Sequence, residues 1–372
     1  MDAGPVMAAI SGGEKIRLYL PHNLRRMSVY VDKQKGKPDF SWDAGRLLRS
    51  AAESRYRQGR LSGRMSAMAA SLRDEAFIGA LTLEAVRSAE LEGETLPPGQ
   101  VRSTFAARLG LVSGVPAPAG IDAVSAAGMI LDVHLHYDQP LTEKRLTEWH
   151  RSIMPAVGRR STGLVHYQAP APHAGPAKLR AFLHWFNADG DIDPVIKAGV
   201  AHWWFMTVRP FDGSNGRIAR AITDLQLARA EEGGYRYYSL SEAIVRERDV
   251  YARFFRNAPD ARTAAASDIT PFLEWFLHCL GQALTSDHLA AILRKASFWE
   301  GHAAFEFNER QRLIIGRLLD DAETRLTSSR WARLTDTSSD TAVRDINDLV
   351  AKGVLVKESA GGRSTSYVLA QG

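Results

Sequence analysis

The chain has 372 residues, 45% of them hydrophobic and 24% charged, with a formal net charge of +5. That length accommodates two or three domains with cores of their own, and the composition is that of an ordinary soluble protein. No apolar run approaches a membrane span and no signal-peptide core opens the sequence, so the expectation is a cytoplasmic protein with no membrane partner. The single cysteine, Cys279, excludes an intrachain disulfide and falls in the apolar pattern FLEWFLHCLGQAL, where a buried helix position is expected. The basic excess, 47 Lys plus Arg against 42 Asp plus Glu, is small and spread out, and is compatible with nucleotide or nucleic acid partners.

Residues 1–26 show no periodicity and read as an extension. From Ser41 to Leu72 the pattern is helical, with a dense arginine face (Arg46, Arg49, Arg55, Arg57, Arg60, Arg64) that is expected to be solvated. A second helix is expected from about Asp74 to Glu90, ending in Ser88-Ala89-Glu90-Leu91-Glu92-Gly93. Pro97 and Pro98 break the pattern, and VRSTFAARLGL resumes it. A linker rich in Pro, Gly and Ala, Val112 to Gly120, leads into an apolar-periodic helix from Ile121 to Tyr137. Asp138-Gln139-Pro140 ends that helix, and Leu141 to Met154 reads as another. In the apolar helix LRAFLHWFN, His184 reads as a core histidine.

The chain is organised around Arg209-Pro210-Phe211-Asp212-Gly213-Ser214-Asn215-Gly216-Arg217-Ile218-Ala219-Arg220. An apolar run, VIKAGVAHWWFMTV, precedes this stretch and AITDLQLARA follows, so the pattern predicts a helix, a sharp Gly-bearing loop and a second helix. Asn215 and Gly216 are expected to turn the backbone through positive φ, so that successive N–H groups point inward at the positive end of the second helix dipole. Arg217 and Arg220 stand three apart on its first turn. Together these make a cradle for a polyphosphate.

The stretch resembles the signature of Fic-domain proteins, H-x-F-x-D/E-G-N-G-R-x-x-R, with Phe211, Asn215, Gly216, Arg217 and Arg220 in register. In that family the loop holds the phosphates of ATP, and the leading histidine deprotonates a target hydroxyl so that AMP is transferred to it. The resemblance therefore implies nucleotide binding through Phe211, Gly213, Ser214, Asn215, Gly216, Arg217 and Arg220. This chain departs from the family at three places. Arg209 stands in the catalytic histidine position, Gly213 where the family has an acidic Mg²⁺ ligand, and Ser214 in place of the first glycine. A guanidinium stays protonated at any working pH, so Arg209 cannot act as a general base, although it can bind an anion. Asp212 is the one candidate left for Mg²⁺, one position early.

Further stretches extend the resemblance. MSVYVDKQKGKPDFSWD, from Met27, looks like the usual start of one Fic subfamily. Ser88, Glu92 and Gly93 match the family's inhibitory motif, S/T-x-x-x-E-G/N, which implies that Glu92 reaches Arg220 in the position a γ-phosphate needs. The family carries a β-hairpin flap between positions matching Met154 and His173. Here VHYQAP, Val165 to Pro170, is similar to the flap exit alone, so the hairpin that would hold a protein substrate by strand addition is shortened. As replacement bases, His166 and Tyr167 on this residual flap are the candidates. His202 lies seven residues before Arg209, roughly 10 Å along a helix, and is expected to pack in the core. No pair of histidines or cysteines has metal-site spacing, and no Gly-x-Ser-x-Gly elbow is present.

Beyond the loop, the helix is expected to continue through Ala221 to Ala230, with Glu231-Glu232-Gly233-Gly234 stopping it. Tyr235-Arg236-Tyr237-Tyr238 either lines a purine pocket or packs between helices. A helix from Glu242 to Phe255 and a long one from Ile269 to about Lys295 close the domain. The last 65 residues give helices Asn308 to Ala322, Ser328 to Leu334 and Ser339 to Lys352, then VLVKE, a turn at Gly361 to Arg363, and STSYVL. This resembles a winged helix-turn-helix with Ser339 to Lys352 in the recognition position. Residues 328–366 are thus candidate DNA contacts. With Asp340, Asp345 and Asp348 expected to be exposed beside Arg344 and Lys352, a protein-interaction or dimerisation module stands equally open.

The expected fold class is mainly α: a Fic-type helical bundle with a residual flap and a small winged helix-turn-helix domain. Residues 1–26 form an extension, 27–110 an N-terminal helical region with the inhibitory motif, 111–300 the Fic core and 303–372 the winged helix. Three functions fit. The chain is a nucleotide- or phosphate-ligand-binding protein derived from AMP transferases, with ATP or a related nucleotide as ligand and Mg²⁺ as its companion. Alternatively it is a repurposed enzyme acting on an anionic or diphosphate small molecule, or a ligand-responsive DNA-binding regulator.

Overall fold

The computed structural model describes residues 40–111, 120–153, 176–256, 267–320, 326–358 and 365–370. The 1–26 extension, the Val165 to Pro170 stretch with His166 and Tyr167, and the Gly361 to Arg363 turn lie outside the described residues. The described chain is mostly helical and divides into two compact units. One comprises residues up to 65 together with 77–284; the other comprises 66–76 together with 285–372.

The first unit opens with a two-residue strand β1 (Phe40–Ser41), followed by α1 (Ala44–Ser66). Buried Leu47, Ala51, Ser54, Gln58, Leu61 and Met65 recur every three or four residues along α1. That spacing turns Arg46, Arg49, Arg55, Arg60 and Arg64 to solvent, as an amphipathic helix requires. The helix stops at Ser66, six residues before the expected Leu72. The carbonyl of Ala69 accepts from the N–H groups of Leu72 and Arg73, which starts a new helix, α2 (Ala70–Leu91).

Next come α3 (Pro98–Arg108), whose first residue is a proline that needs no N–H partner there, α4 (Ile121–Leu135) and α5 (Glu143–Ile153). Phe77, Leu81, Val101, Phe105, Ala127 and Ile130 form one shared core among α2, α3 and α4. Arg145 ties α5 to the end of α4. Its guanidinium donates to the Asp132 carboxylate at 2.6 Å and to the carbonyls of Asp132, His136 and Gln139 at 2.9–3.0 Å. The last carbonyls of α4 thus meet a cation, which suits the negative end of a helix dipole.

After α6 (Pro176–Asn187) the chain enters α7 (Pro194–Val208) and α8 (Asn215–Ala230). The α7 start follows from Asp193-Pro194: the Asp193 side chain accepts from the N–H groups of Val195 and Ile196, and proline fills the first helical position. Both helices are buried on nearly every side, which explains why their sequences show no polar face. His184 on α6 is a correction. Phe182, Leu183 and Phe186 take the core side, so residue 184 falls on the opposite side and is exposed.

The expected helix from Glu242 to Phe255 is two, α9 (Leu240–Arg246) and α10 (Arg248–Arg256). Ser239 starts the first early by accepting from the Glu242 N–H, and Glu247 leaves helical geometry between them. A second short strand, β2 (Ser267–Asp268), pairs in parallel with β1, Phe40 opposite Ser267. The expected long helix from Ile269 to Lys295 is also two, α11 (Thr270–Ala283) and α12 (Asp287–Gly301). Ser286 adopts an extended conformation and caps α12 by accepting from the Leu289 N–H, and the boundary between the units falls at this break. Cys279 is buried on α11, and burial pushes its thiol up to about 12.

The second unit also contains α13 (Glu309–Asp320), α14 (Ser328–Thr335) and α15 (Ser339–Ala351), followed by β3 (Leu355–Lys357) and β4 (Tyr367–Leu369). The two strands are antiparallel, with Leu355 opposite Leu369 and Lys357 opposite Tyr367. Trp331, Ile315, Ile346, Leu349 and Leu355 form its core. Asp345, expected to be exposed, is buried. Its carboxylate accepts from Arg310 Nε at 2.7 Å and Asn308 Nδ2 at 2.9 Å, because it lies on the face of α15 that packs beside α13. Asp340 is exposed, and exposed Asp348 pairs with Lys352 at 2.7 Å.

Candidate functional site

The segment from Arg209 to Ser214 joins two buried helices and has no room to wander. Arg209 ends α7 in the left-handed region, with φ 43°, and its N–H bonds back to Phe205. Ser214 precedes α8 with φ 59°. The positive-φ positions are therefore these two, and not Asn215 and Gly216, which already have helical geometry. A left-handed residue followed by right-handed ones still turns consecutive N–H groups toward one point, so the concave backbone forms one residue earlier than expected.

Asn215 is the clasp of the loop. Its Nδ2 donates to the Phe211 carbonyl at 2.7 Å, and its Oδ1 accepts from the Phe211 N–H at 3.2 Å. Its side chain serves the loop, which leaves anion contacts to the backbone. The Ser214 side chain makes no capping bond, so the first N–H groups of α8 have no such partner. Gly213 opens onto free space, and the missing side chain of Gly216 leaves room for a carboxylate.

Glu92 takes that room. A Cβ on Gly216 would lie 2.5 Å from Glu92 Oε1 and 3.2 Å from Arg220 Nη1. Arg220 is 2% exposed and is gripped by α2: Nε donates to Ser88 Oγ at 2.8 Å, and Nη2 donates to the Ser88 carbonyl and Glu92 Oε1, both at 2.9 Å. Burial works against its charge, but Glu92, Tyr251 and Glu84 together more than offset burial and hold the guanidinium above its ordinary value. Arg220 Nη1 is buried and takes no part in these bonds, and the Tyr251 hydroxyl neighbours the same guanidinium. Arg217 donates from Nη1 to Glu94 Oε2 at 2.9 Å. Gly93, between the two glutamates, has φ 77°.

Arg209 turns back over its own helix, with Nε donating to the Met206 carbonyl at 2.8 Å and Nη2 to Phe255 at 3.4 Å. His202 is fully buried, bonded to Thr223 Oγ1 at 2.9 Å and Tyr251 OH at 3.0 Å, and burial pushes it down to about 3. It is a neutral core histidine, as its distance from the loop implies. Asp212 is exposed. Among the described residues no group of three or more His, Cys, Asp or Glu is gathered to hold a metal, and Asp212 stands as a single exposed carboxylate.

Two residues that bear on the site carry no motif of their own. His150 on α5 stacks flat on Phe211, and burial pushes it below the ordinary histidine value, while Asp212 and a hydrogen bond with the Gly213 backbone pull the other way. Glu94 is the second; only its place just after the helix-ending Gly93 marks it. Behind the arginines lies a buried polar layer. Glu84 accepts from Ser239 Oγ at 2.8 Å, from the Ser241 N–H at 3.0 Å and from the Ser241 hydroxyl, while Asp224 pairs with Arg236 at 2.6 Å. Glu84, Ser88, Arg217 and Asp224 line one small cavity. The Tyr235 to Tyr238 segment packs here: Tyr235 stacks on Phe77, and Arg236 lies over the Tyr238 ring.

Residues 140–227, which include this loop and both helices, match the Fic/DOC family and form a Fic/DOC-family domain; residues 30–111 match a domain of unknown function (DUF4172). Among curated proteins the chain is similar to the protein adenylyltransferase Fic of Drosophila virilis, 24% identical over 208 residues, and to that of Drosophila grimshawi, 26% identical over 208 residues. These matches take in 53% of this chain and 40–41% of the relatives, so the chain spans about two fifths of their length. Among solved structures it resembles a Fic family protein from Desulfovibrio desulfuricans G20, with 18% identity, TM-score 0.49 and coverage of 86% of this chain and 96% of that one. A Fic domain containing signaling protein from Bacteroides thetaiotaomicron is 22% identical, with TM-score 0.45 and coverage of 68% and 100%.

Proposed function

We propose that the chain is a nucleotide- or phosphate-ligand-binding protein derived from AMP transferases, with a site that lacks the ordinary proton acceptor. One observation carries this reading: the buried Arg220 guanidinium, paired with the Glu92 carboxylate, lies beside Gly216 at the uncapped start of α8. A carboxylate already fills the place of an anion there, and a phosphate at a helix N-terminus would take over that guanidinium and meet the backbone N–H groups as well. The site thus fits a phosphate chain.

In this reading Arg220 and Arg217 neutralise phosphate oxygens, and Asn215 keeps the loop in shape through Phe211. A bound nucleoside triphosphate would supply an activated phosphorus. The residue in position to accept a proton in the family, here Arg209, stays cationic and is engaged with the Met206 carbonyl. Glu92 holds the Arg220 charge that the ligand needs, so the site is closed until the glutamate moves. No step relies on Mg²⁺.

The test is intact-protein mass and ATP turnover after incubation with Mg²⁺ and ATP, run on this chain and on Glu92→Gly, with ATP binding measured alongside. ATP bound by Glu92→Gly without an added AMP is the expected result. An AMP adduct would replace this reading with a working transferase. Absence of ATP binding by either protein would overturn it.

We also propose that α13 to α15 with β3 and β4 form a winged helix-turn-helix that contacts DNA. The favouring observation is the burial of Asp345 against Arg310, which takes one of three aspartates off the exposed face of α15, where Arg344 stands with Asp340 and Asp348. Fluorescence anisotropy with duplex DNA over a salt series tests it. Binding that weakens steeply with salt and with Arg344→Ala supports it, and no binding at low salt rejects it.

A further inference from the structure

The end of α2 is a helix cap of a defined kind. The Glu94 N–H bonds to the Ala89 carbonyl at 3.0 Å and the Gly93 N–H to the Glu90 carbonyl at 3.0 Å, with Gly93 left-handed between them. This is the paired pattern of a Schellman motif, which fixes the directions of the residues on both sides of the glycine. Those residues are Glu92 and Glu94. Their carboxylates close on Arg220 and Arg217, each at 2.9 Å. The two arginines sit one turn apart on α8 and are nearly buried, at 2% and 5% exposure.

We propose that Glu94 is a second inhibitory carboxylate, which covers the seat of one phosphate on Arg217 while Glu92 covers another on Arg220. The inference rests on the phosphate-binding reading of the site and adds to it. Each pair matches a carboxylate to a guanidinium as a phosphate would, with charge-assisted hydrogen bonds. A ligand with one phosphate can displace one glutamate and leaves the other arginine held. A ligand with two linked phosphates displaces both, and α8 presents its arginines at a spacing two neighbouring groups can bridge. Removing Glu92 alone therefore leaves the site half closed.

The exposed part of Glu94 makes Glu94→Gln a mild change that keeps an acceptor and removes the charge. Calorimetric titration of the full chain with ADP and with AMP compares Glu92→Gly with Glu92→Gly/Glu94→Gln. The double variant is expected to bind ADP about threefold tighter or more, the range of a part-exposed ion pair, while AMP changes by less than about twofold. Gly93→Ala, which strains the left-handed position of the cap, is expected to tighten ADP binding in the otherwise unaltered chain. Equal ADP affinity in the two Glu92→Gly backgrounds, or an equal gain for AMP, would overturn the role of Glu94. If ADP binds none of the variants, the phosphate-site reading itself falls, and with it this one.

Discussion

The imidazole of His150 lies flat on the ring of Phe211, with 4.3 Å between centroids and 9° between planes. Phe211 belongs to the loop and His150 to α5, so the stack is one of the fastenings that hold the loop to the helical body. His150→Ala is expected to lower stability by about 1 kcal/mol, the scale of an aromatic pair. His150→Phe should recover most of that loss. Burial holds the histidine below its ordinary 6.5, so the folded state takes up its proton less readily than the unfolded chain. Its cost therefore grows as pH falls below 6.5, and urea titrations at pH 7.5 and pH 5 should show His150→Phe gaining on the parent at the lower pH.

Arg236 is 1% exposed, 2.6 Å from Asp224 and 3.5 Å from Glu231, with its guanidinium over the Tyr238 ring. Removing it strands the buried Asp224 carboxylate and leaves part-buried Glu231 with Gln58 and Tyr238 alone. Arg236→Met is expected to cost about 3–5 kcal/mol in denaturant unfolding, and Arg236→Lys should fail to restore it because one ammonium cannot span both partners and stack as well.

Glu84 is buried, and burial, with the nearby Asp224 charge added, pushes it up to about 7. A raised carboxylate holds its proton in the folded state over the interval from 4.5 to about 7, so its contribution is complete at low pH and is lost as pH rises through that interval. Glu84→Gln removes the dependence. The stability of the parent relative to Glu84→Gln should fall by about 3 kcal/mol between pH 4 and pH 8, with no further change above that.

Gly199 marks where α7 meets α11. A Cβ there would lie 2.7 Å from Leu273 Cδ2 and 2.9 Å from Phe276 Cδ1. Alanine improves helix propensity by about 1 kcal/mol, but overpacking a filled core costs about 1–3 kcal/mol. Gly199→Ala is expected to lower the midpoint of thermal unfolding, and Leu273→Ala in the same chain should relieve part of that loss.

The helix–loop–helix around residues 194–230 was legible because its signals are local: a Gly- and Asn-bearing loop lies between two largely apolar runs, VIKAGVAHWWFMTV and AITDLQLARA. The Glu92–Arg220 contact was legible only through a family pattern, since its partners lie 128 positions apart. Other features had no local mark. The split between α9 and α10 rests on one residue, Glu247, and that between α11 and α12 on the cap at Ser286, inside stretches whose periodicity runs on. His184 and Asp345 were misplaced because a helix of either phase looked plausible until its neighbours fixed which face turned inward. Positive φ was assigned to Asn215 and Gly216 because those residue types tolerate it best, yet the strain falls on Arg209 and Ser214, where two buried helices dictate the path.

The cap at Gly93 gives the closed site an unusual hinge, namely none. The last turn of α2 is packed, with Ala89 and Leu91 buried and Ser88 bound to Arg220, so the part that local opening reaches is the cap beyond Leu91. Losing that cap would withdraw both glutamates together, without any rearrangement of the two buried helices they guard. The amide protons of Gly93 and Glu94, tied to Glu90 and Ala89 while the turn is intact, would then exchange with solvent on the timescale at which the arginines become available.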